Sequence, residues 1–533
     1  MLPSKAFRTA VTALVACSVF LILLWGTGAV PNLRPSLKDT VEKPIGDRLT
    51  EFVPPEPGKG RLHLLVPATS SNDDLCKLMV SAQILGFPSP VLINYGDDEA
   101  EDPYVQHLAK VEGLLEYLDK IEDSSEYDSD LVLVVDGYDV WFQLRPDVLI
   151  KRYYEAIKEA DARAVQVYGK ETVENNSITH TVLLGPDKVC WPVDFSRPAC
   201  WAAPATTLGQ YGFGPQTSDG RDDNNDPKWL NSGTIMGPAQ DLRDFFRGTL
   251  ELIHENHTTD SDQYYMAQLF GLQEYKRLSH NETRLQEFRD TRYADELSDK
   301  EKAIMRFEPS LESDKKTEYH ILIDGSFSLF QTLAFMKQYI TFTTPSDSWS
   351  PQVEGQEPFW TPYQVEPPQD LLRSTPPFDL SSDAGTRSTT WDQVTLLYNT
   401  ISKTFPVLIH FTGEKQYRDI WWQRMWFQSN ASELRKSSAK LLDEAISDDI
   451  IDGKKWVKAM SEHAKEYKEA GISGFESDRR GWLSWRAVCG PMEGALFVTR
   501  GQEKFHPREP PEPPALAWQH IPVADGEAAG GVG

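Results

Sequence analysis

"SDLVLVVDGYDVWFQ", residues 129–143, is the stretch whose reading decides the fold. Five consecutive apolar residues, Leu131 to Val135, run into Asp136 and, three residues later, Asp139. A Leu/Val run this dense reads as a central strand of a parallel sheet, covered on both faces. Open α/β sheets bind ligands at the carboxyl ends of such strands, which is where both aspartates fall. Two hard oxygen ligands on one turn hold Mg²⁺ or Mn²⁺ weakly and leave coordination positions for phosphate oxygens. Asp is also favoured in turns on its own account, so taken alone the pair reads equally well as a turn cap.

Outward from that stretch, "RLHLLVPATSS" from Arg61 reads as a first strand and its loop, followed by a helix with Leu75, Met79, Ala82 and Leu85 on one side. "PVLINYG" reads as the next strand, and between Tyr104 and Ile121 the residues Val105, Leu108, Val111, Leu115 and Leu118 recur at helical spacing. This β-α-β-α-β order predicts an α/β fold: a doubly wound, mainly parallel sheet with helices on both faces and right-handed connections. Further on, "ARAVQVYG" and "HTVLLGP" read as strands, and "RDFFRGTLELIHE" and "SDQYYMAQLFG" as helices. Residues 341–392, rich in Pro, Ser and Thr, read as a long insertion or lid, or equally as a disordered stretch. Trp421, Trp422 and Trp426 mark a helical stretch. Trp456, Val457, Met460, Ala464 and Tyr467 lie on one face of a later helix ending near Gly471, an aromatic stripe that reads as packing. Residues 426–505 thus read as a helical C-terminal extension, and 506–533 as a disordered Pro- and Gly-rich tail.

With 533 residues, 40% hydrophobic and 11% aromatic, the chain has ample material for a globular core. After a short tail, residues 1–9, the uncharged apolar stretch 10–30 has the roughly 20 residues of a membrane-spanning helix. A cleaved signal peptide is the alternative. Residues 31–60, rich in Pro, Gly and charges, read as a stem. Four glycosylation sequons, at Asn175, Asn256, Asn281 and Asn430, fit a lumenal location for all that follows. Cys17 lies in the apolar stretch; Cys76, Cys190, Cys200 and Cys489 can pair in three ways, with Cys190–Cys200 the most local choice. No C-x-x-C pair or His/Cys cluster suggests structural zinc. The formal net charge of −26 argues against nucleic acid as a partner.

Seven segments, taken in order, resemble the glycosyltransferase domain of the procollagen lysyl hydroxylases and related collagen-type sugar transferases. They are "PATSS", "DGYD", "GPDKVCWP", "WLNSGTIMG", "SDQYY", "IDGSFSLFQ" and "IHFTGEK", and the likeness spans about residues 61–425. The resemblance implies a GT-A-like Rossmann-type domain that uses a UDP-sugar donor with Mn²⁺, Mg²⁺ being possible. Asp136 and Asp139 match the family's metal-binding D-x-x-D, and His410 stands as a third ligand, whose imidazole suits Mn²⁺ better than Mg²⁺. Pro67, Ala68 and Thr69 resemble its uridine-binding loop. Lys110 aligns with a lysine near the donor, although "YVQHLAK" replaces the family's glycine-rich lead-in to that helix. Gly413 and Lys415 would let backbone and charge approach the diphosphate. Asp187, Trp191, Asn231 and Asp262 are the expected catalytic group around the sugar and acceptor, with Ser261 standing where the family has the first Asp of Asp-Asp-Gln. A lone His, a core Trp and helix-capping Asp residues would be the structural readings of the same positions.

The function these observations favour is a single-pass type II membrane protein of the Golgi or endoplasmic reticulum with a lumenal catalytic domain. It would transfer a hexose, glucose or galactose, from UDP-hexose to a glycan or glycoprotein acceptor. The alternative is a catalytically inactive relative kept for binding a glycan or a partner. A phosphatase with Asp136 as nucleophile leaves the Asn-Ser-Gly and His-x-x-Gly segments unexplained.

Overall fold

β1, Gly58–Pro67, is the spine of the molecule, and it changes neighbours along its length. The computed structural model describes residues 57–497 apart from several internal stretches, of which 287–308 and 350–362 are the longest. The expected anchor, nearly all of the stem and the tail from residue 506 lie outside the described residues. Among the described residues, no helix is long and apolar enough to cross a membrane.

After β1 come α1 (Asp73–Leu85), β2 (Val91–Ile93), α2 (Pro103–Ile121) and β3 (Leu131–Val135), in the expected order. The Asn72 side chain accepts the Leu75 N–H at 2.8 Å and starts α1; Gly86, at φ +77°, ends it in the left-handed conformation that glycine adopts without penalty. All five residues of β3 are buried. Leu131, Leu133 and Val135 join the core under α1, while Val132 and Val134 join the core that contains Val111, Leu114 and Leu118 of α2. The period of two along one apolar strand therefore serves two cores. Val105, expected on the apolar face of α2, is 48% exposed.

The chain continues through β4 (Val140–Phe142), α3 (Pro146–Tyr168), β5 (Val182–Asp187), β6 (Trp229–Pro238), α4 (Ala239–Asn256), α5 (Asp262–Ser279), β7 (Ile321–Ile323) and β8 (Phe330–Thr332). "ARAVQVYG" is not a strand: residues 162–169 form the last turns of α3 and its closing glycine. In the second half of α3 the buried positions are Ala160 and Ala164, four apart, a helical spacing that the short alternation around Ala164 conceals. The sheet is also less parallel than expected. β6 runs antiparallel to both β3 and β5, so the sheet, ordered β2-β1-β3-β6-β5-β7 along these strands and continued by four strands of the C-terminal segment, is mixed.

β9 (Ile340–Thr343) pairs with β12 (Leu396–Asn399), and between them β10 (Ser348–Trp349) pairs with β11 (Tyr363–Gln364). Part of the expected insertion or lid is bound into the body. Phe378 and Trp391 pack against Trp426 at ring separations of 4.8 and 5.4 Å, and Asp370 and Ser374 bond to Arg152 and Asp147 of α3.

β13 (Leu408–His410) lies antiparallel to β4 and parallel to β8 in a small separate sheet. The segment expected as a helical extension is mixed: besides short helices such as Ala431–Ser438 and Trp485–Val488 it supplies strands β14 (Ala445–Ile451), β15 (Lys454–Lys458), β16 (Gly474–Ser477) and β17 (Gly481–Ser484), with α6 (Glu462–Glu469) between β15 and β16. Trp456 and Val457 stand on β15, not on the helix that carries Ala464 and Tyr467. β15 pairs with the first half of β1, and the Trp456 ring packs so close to Gly60 that a Cβ there would lie 2.8 Å from it.

Both disulfides are formed: the local Cys190–Cys200 and a long-range Cys76–Cys489, which ties α1 to the C-terminal segment across 413 residues. Closing so long a loop removes much unfolded-state entropy. The double variant Cys76→Ser/Cys489→Ser should lose about 2–5 kcal/mol of stability in urea denaturation, with the fold retained by far-UV circular dichroism.

Candidate functional site

The site is built where two sheets meet. β3 delivers Asp136 at its carboxyl end, and β4 begins just after Asp139. β13 pairs with β4 so that His410 faces Val140, and the Phe411 N–H donates to Asp139 O at 2.8 Å. Ligand atoms of Asp136, Asp139 and His410 all lie within 4.8 Å of one another.

His410 Nε2 is 3.3 Å from Asp139 Oδ1, without the alignment of a hydrogen bond. Ligand atoms at right angles around a small hard cation, with bonds of about 2.1 Å, lie about 3 Å apart, so the pair has cation-ligand spacing. Asp139 Oδ1 and His410 Nδ1 are both buried with no hydrogen bond. A buried carboxylate oxygen in that state is costly unless something positive completes it. The wall behind it is Gly233 on β6, whose O accepts the Asp136 N–H at 2.9 Å; a Cβ at Gly233 would lie 2.2 Å from His410 Cε1 and 2.7 Å from Asp136 Oδ2. Two carboxylates, one imidazole and a glycine that leaves room for them suit a divalent cation such as Mn²⁺.

Two lysines brace the carboxylates. Lys110 on α2 is buried, with Nζ 2.8 Å from both Asp136 Oδ1 and Asp262 Oδ2 and 3.3 Å from Ser232 O. Burial pulls its pKa down, but the two aspartates outweigh it and hold the ammonium above the ordinary lysine range. Lys415 Nζ lies 2.5 Å from Asp139 Oδ2 and donates to Phe411 O at 2.8 Å. Burial pushes the Asp139 carboxyl up, yet His410 and then Lys415 draw it well below the usual carboxylate range.

Across the site, Asp187 ends β5. Asn231 Nδ2 and Gln263 Nε2 each donate to its Oδ2 at 3.1 Å, and Gln263 Oε1 lies 3.4 Å from Asn231 Nδ2 and from the Ser232 N–H. Burial raises the Asp187 pKa to about 6, against the pull of these amides and of His410. At neutral pH the four carboxylates Asp136, Asp139, Asp187 and Asp262 face two ammonium groups, Lys110 and Lys415. The two remaining negative charges match one divalent cation.

The structure therefore brings together Asp136, Asp139, His410, Asp187, Asn231 and Asp262. Lys110, expected near the donor, is buried and braces Asp136 and Asp262. Lys415 lies on Asp139, and Gly413 at φ +74° turns the chain between His410 and Lys415. Pro67, Ala68 and Thr69 adjoin the D-x-x-D turn: a Cβ at Gly137 would lie 2.6 Å from Pro67 O and 3.0 Å from Ala68 Cβ. Trp191, 60% exposed beside the Cys190–Cys200 disulfide, presents its ring to solvent.

Two members of the site, and one buried lysine next to it in sequence, were missed in the sequence. Gln263 stood in plain view within "SDQYY"; Tyr138 stood between the two aspartates, and its OH accepts the Ser70 N–H at 3.0 Å. Lys188 is buried, donating to Asp223 O with Nζ 3.6 Å from the Phe213 ring centroid, and burial lowers its pKa to about 7. No local pattern marks it.

No protein-family model matches this chain, and no curated protein matches it in sequence.

Two expectations follow from the geometry. Gly233→Ala should weaken Mn²⁺ binding about tenfold or more, read by titration of the free-ion electron paramagnetic resonance signal, because the methyl group displaces His410. With a chelator present, stability should fall by on the order of 3 kcal/mol as pH rises from about 4 through about 6. In that window folded Asp187 keeps a proton that the unfolded chain has released. Asp187→Asn should remove that contribution, making stability in urea denaturation fall less steeply over this window.

Proposed function

We propose that this chain is a metal-dependent glycosyltransferase with a GT-A-like Rossmann-type domain, transferring a hexose, glucose or galactose, from a UDP-sugar to an acceptor hydroxyl. The observation that carries the reading is the Asp136–Asp139–His410 triad at the carboxyl end of β3, with Asp187, Asn231 and Gln263 across from it. Asp136, Asp139 and His410 would hold the cation. When bound, a divalent cation offsets the negative charge that grows on a leaving diphosphate.

The chain's own groups then divide the work. Lys110 pairs with Asp136 and Asp262 and holds both in place. Lys415, half-exposed at the mouth of the site, exchanges its contact with Asp139 for one with the diphosphate. Asn231 and Gln263 orient Asp187, which is mostly ionised at neutral pH and takes a hydrogen bond or a proton from a hydroxyl. Trp191 offers an apolar ring face to a sugar. The two disulfides and the sequons, of which Asn175 is exposed on the folded part, support an oxidising, lumenal setting. With the apolar stretch 10–30 as anchor, we place the protein in the Golgi or endoplasmic reticulum membrane, acting on a glycan or glycoprotein acceptor.

Purified protein incubated with UDP-glucose or UDP-galactose should release UDP in the presence of Mn²⁺. Chelation should stop the release and added Mn²⁺ restore it. Asp139→Asn should lower the rate by at least about 100-fold, the scale of losing one preorganised electrostatic group at a transition state. Unchanged turnover under chelation, or no release from any UDP-hexose, would overturn the reading.

A further inference from the structure

The ligand-binding edge of the sheet runs away from the triad in two directions. Toward β6 and β5 lie Asn231 and Asp187. In the other direction β3, β1, β2 and β16 are mutually parallel neighbours, so their carboxyl ends open on the same edge. The last of them belongs to the C-terminal segment. From β3 to β16 is three strand spacings, about 14 Å.

A continuous hydrogen-bonded rim spans that distance. Tyr138 OH, between the two metal-site aspartates, accepts the Ser70 N–H at 3.0 Å and donates to Ser70 O at 3.1 Å. Thr69 O accepts the Gly96 N–H at 2.8 Å, and Gly96 O accepts Arg480 Nη2 at 2.9 Å. Alongside, Ser71 Oγ lies 2.5 Å from Tyr95 OH, and Arg479 Nη2 donates to Asn94 Oδ1 at 3.2 Å. The turn carrying both arginines is rooted firmly: both carboxylate oxygens of Asp478 accept the Asn94 N–H at 3.1 Å, and the Asp478 N–H donates to Leu92 O at 3.1 Å.

Arg480 is exposed, and its guanidinium lies against the backbone of Gly96, where a Cβ would be 2.1 Å away. That residue, at φ +84°, is a glycine on both counts. Among the described residues, the Arg480 side chain hydrogen-bonds a backbone carbonyl and pairs with no carboxylate.

We infer that the C-terminal segment completes the nucleotide site, with Arg480, seated on Gly96, receiving the base of a nucleoside diphosphate whose base edge presents carbonyl oxygens. The inference rests on the transferase reading. With the diphosphate at the triad and the hexose toward Asp187, the nucleoside lies along the rim over β1 and β2. A guanidinium is all donor: it pairs with the carbonyl edge of uracil and leaves the exocyclic amino group of cytosine or adenine unmatched. Arg480 therefore acts on base selection, and Arg479, held to Asn94, positions the turn.

The test is calorimetric binding of UDP and of CDP to the full chain with saturating Mn²⁺, and of Mn²⁺ alone. Wild type should prefer UDP by at least about tenfold. Arg480→Ala should weaken UDP by about 10- to 100-fold, the scale of a charge-assisted hydrogen bond, and leave CDP and Mn²⁺ binding unchanged. Arg480→Lys, which keeps the charge without the planar fork, should not restore the preference. An Arg480→Ala protein that retains both UDP affinity and preference overturns this inference while the transferase reading stands. An equal loss for UDP and CDP with a lowered melting temperature overturns it too, as a folding effect. Wild type that binds neither nucleotide removes the transferase reading, and this inference with it.

Discussion

The pairing of β13 with β4 is the contact on which the site depends. It places His410 beside Asp139 although some 270 residues of chain separate them, and it does so through backbone hydrogen bonds that ignore side-chain identity. The neighbouring side chains then hold the geometry. Trp141 of β4 packs between Phe411, at 4.2 Å, and Trp422, at 5.1 Å, so the strand pair is clamped by aromatic packing on the face away from His410. A site assembled this way is preorganised, because neither ligand can move without unpicking a buried strand.

Gathering carboxylates at one edge has an electrostatic consequence that shapes everything near it. Lys110 is sunk into the core beneath Asp136 and Asp262, a placement that would be costly for an unpaired amine and is favourable with two aspartates within 2.8 Å. The amides of Asn231 and Gln263 do the same for Asp187 without adding charge. Positive charge is rationed to the floor and the mouth of the site, and the centre stays net negative.

The C-terminal segment is part of this architecture. β15 extends the spine of β1, β16 extends the carboxyl-end edge, and the Cys76–Cys489 disulfide fastens the segment to α1. Sequence periodicity misread it for a physical reason. Trp456, Val457, Met460, Ala464 and Tyr467 fall at helical spacing by count, but Trp456 and Val457 sit on a strand and Ala464 and Tyr467 on a helix, so two short elements imitate one long one. In "ARAVQVYG" the error runs the other way, a short alternation imitating a strand inside a long helix.

The sequence by itself determined the local elements and the chemistry of the ligands: the buried run Leu131–Val135, the helices α1 and α2, Asp136 and Asp139 on one turn, and His410 at the end of an apolar stretch. These are legible because periods of two and 3.6 and the residue types of a metal site are local properties. Only the tertiary structure decided that β6 runs antiparallel, that Lys110 lies under the carboxylates, that Gln263 and Asn231 converge on Asp187, and that Arg480 stands on the same edge as Thr69. Strand direction and the meeting of distant side chains are set by long-range pairing and packing. No window of sequence contains both partners of such a contact.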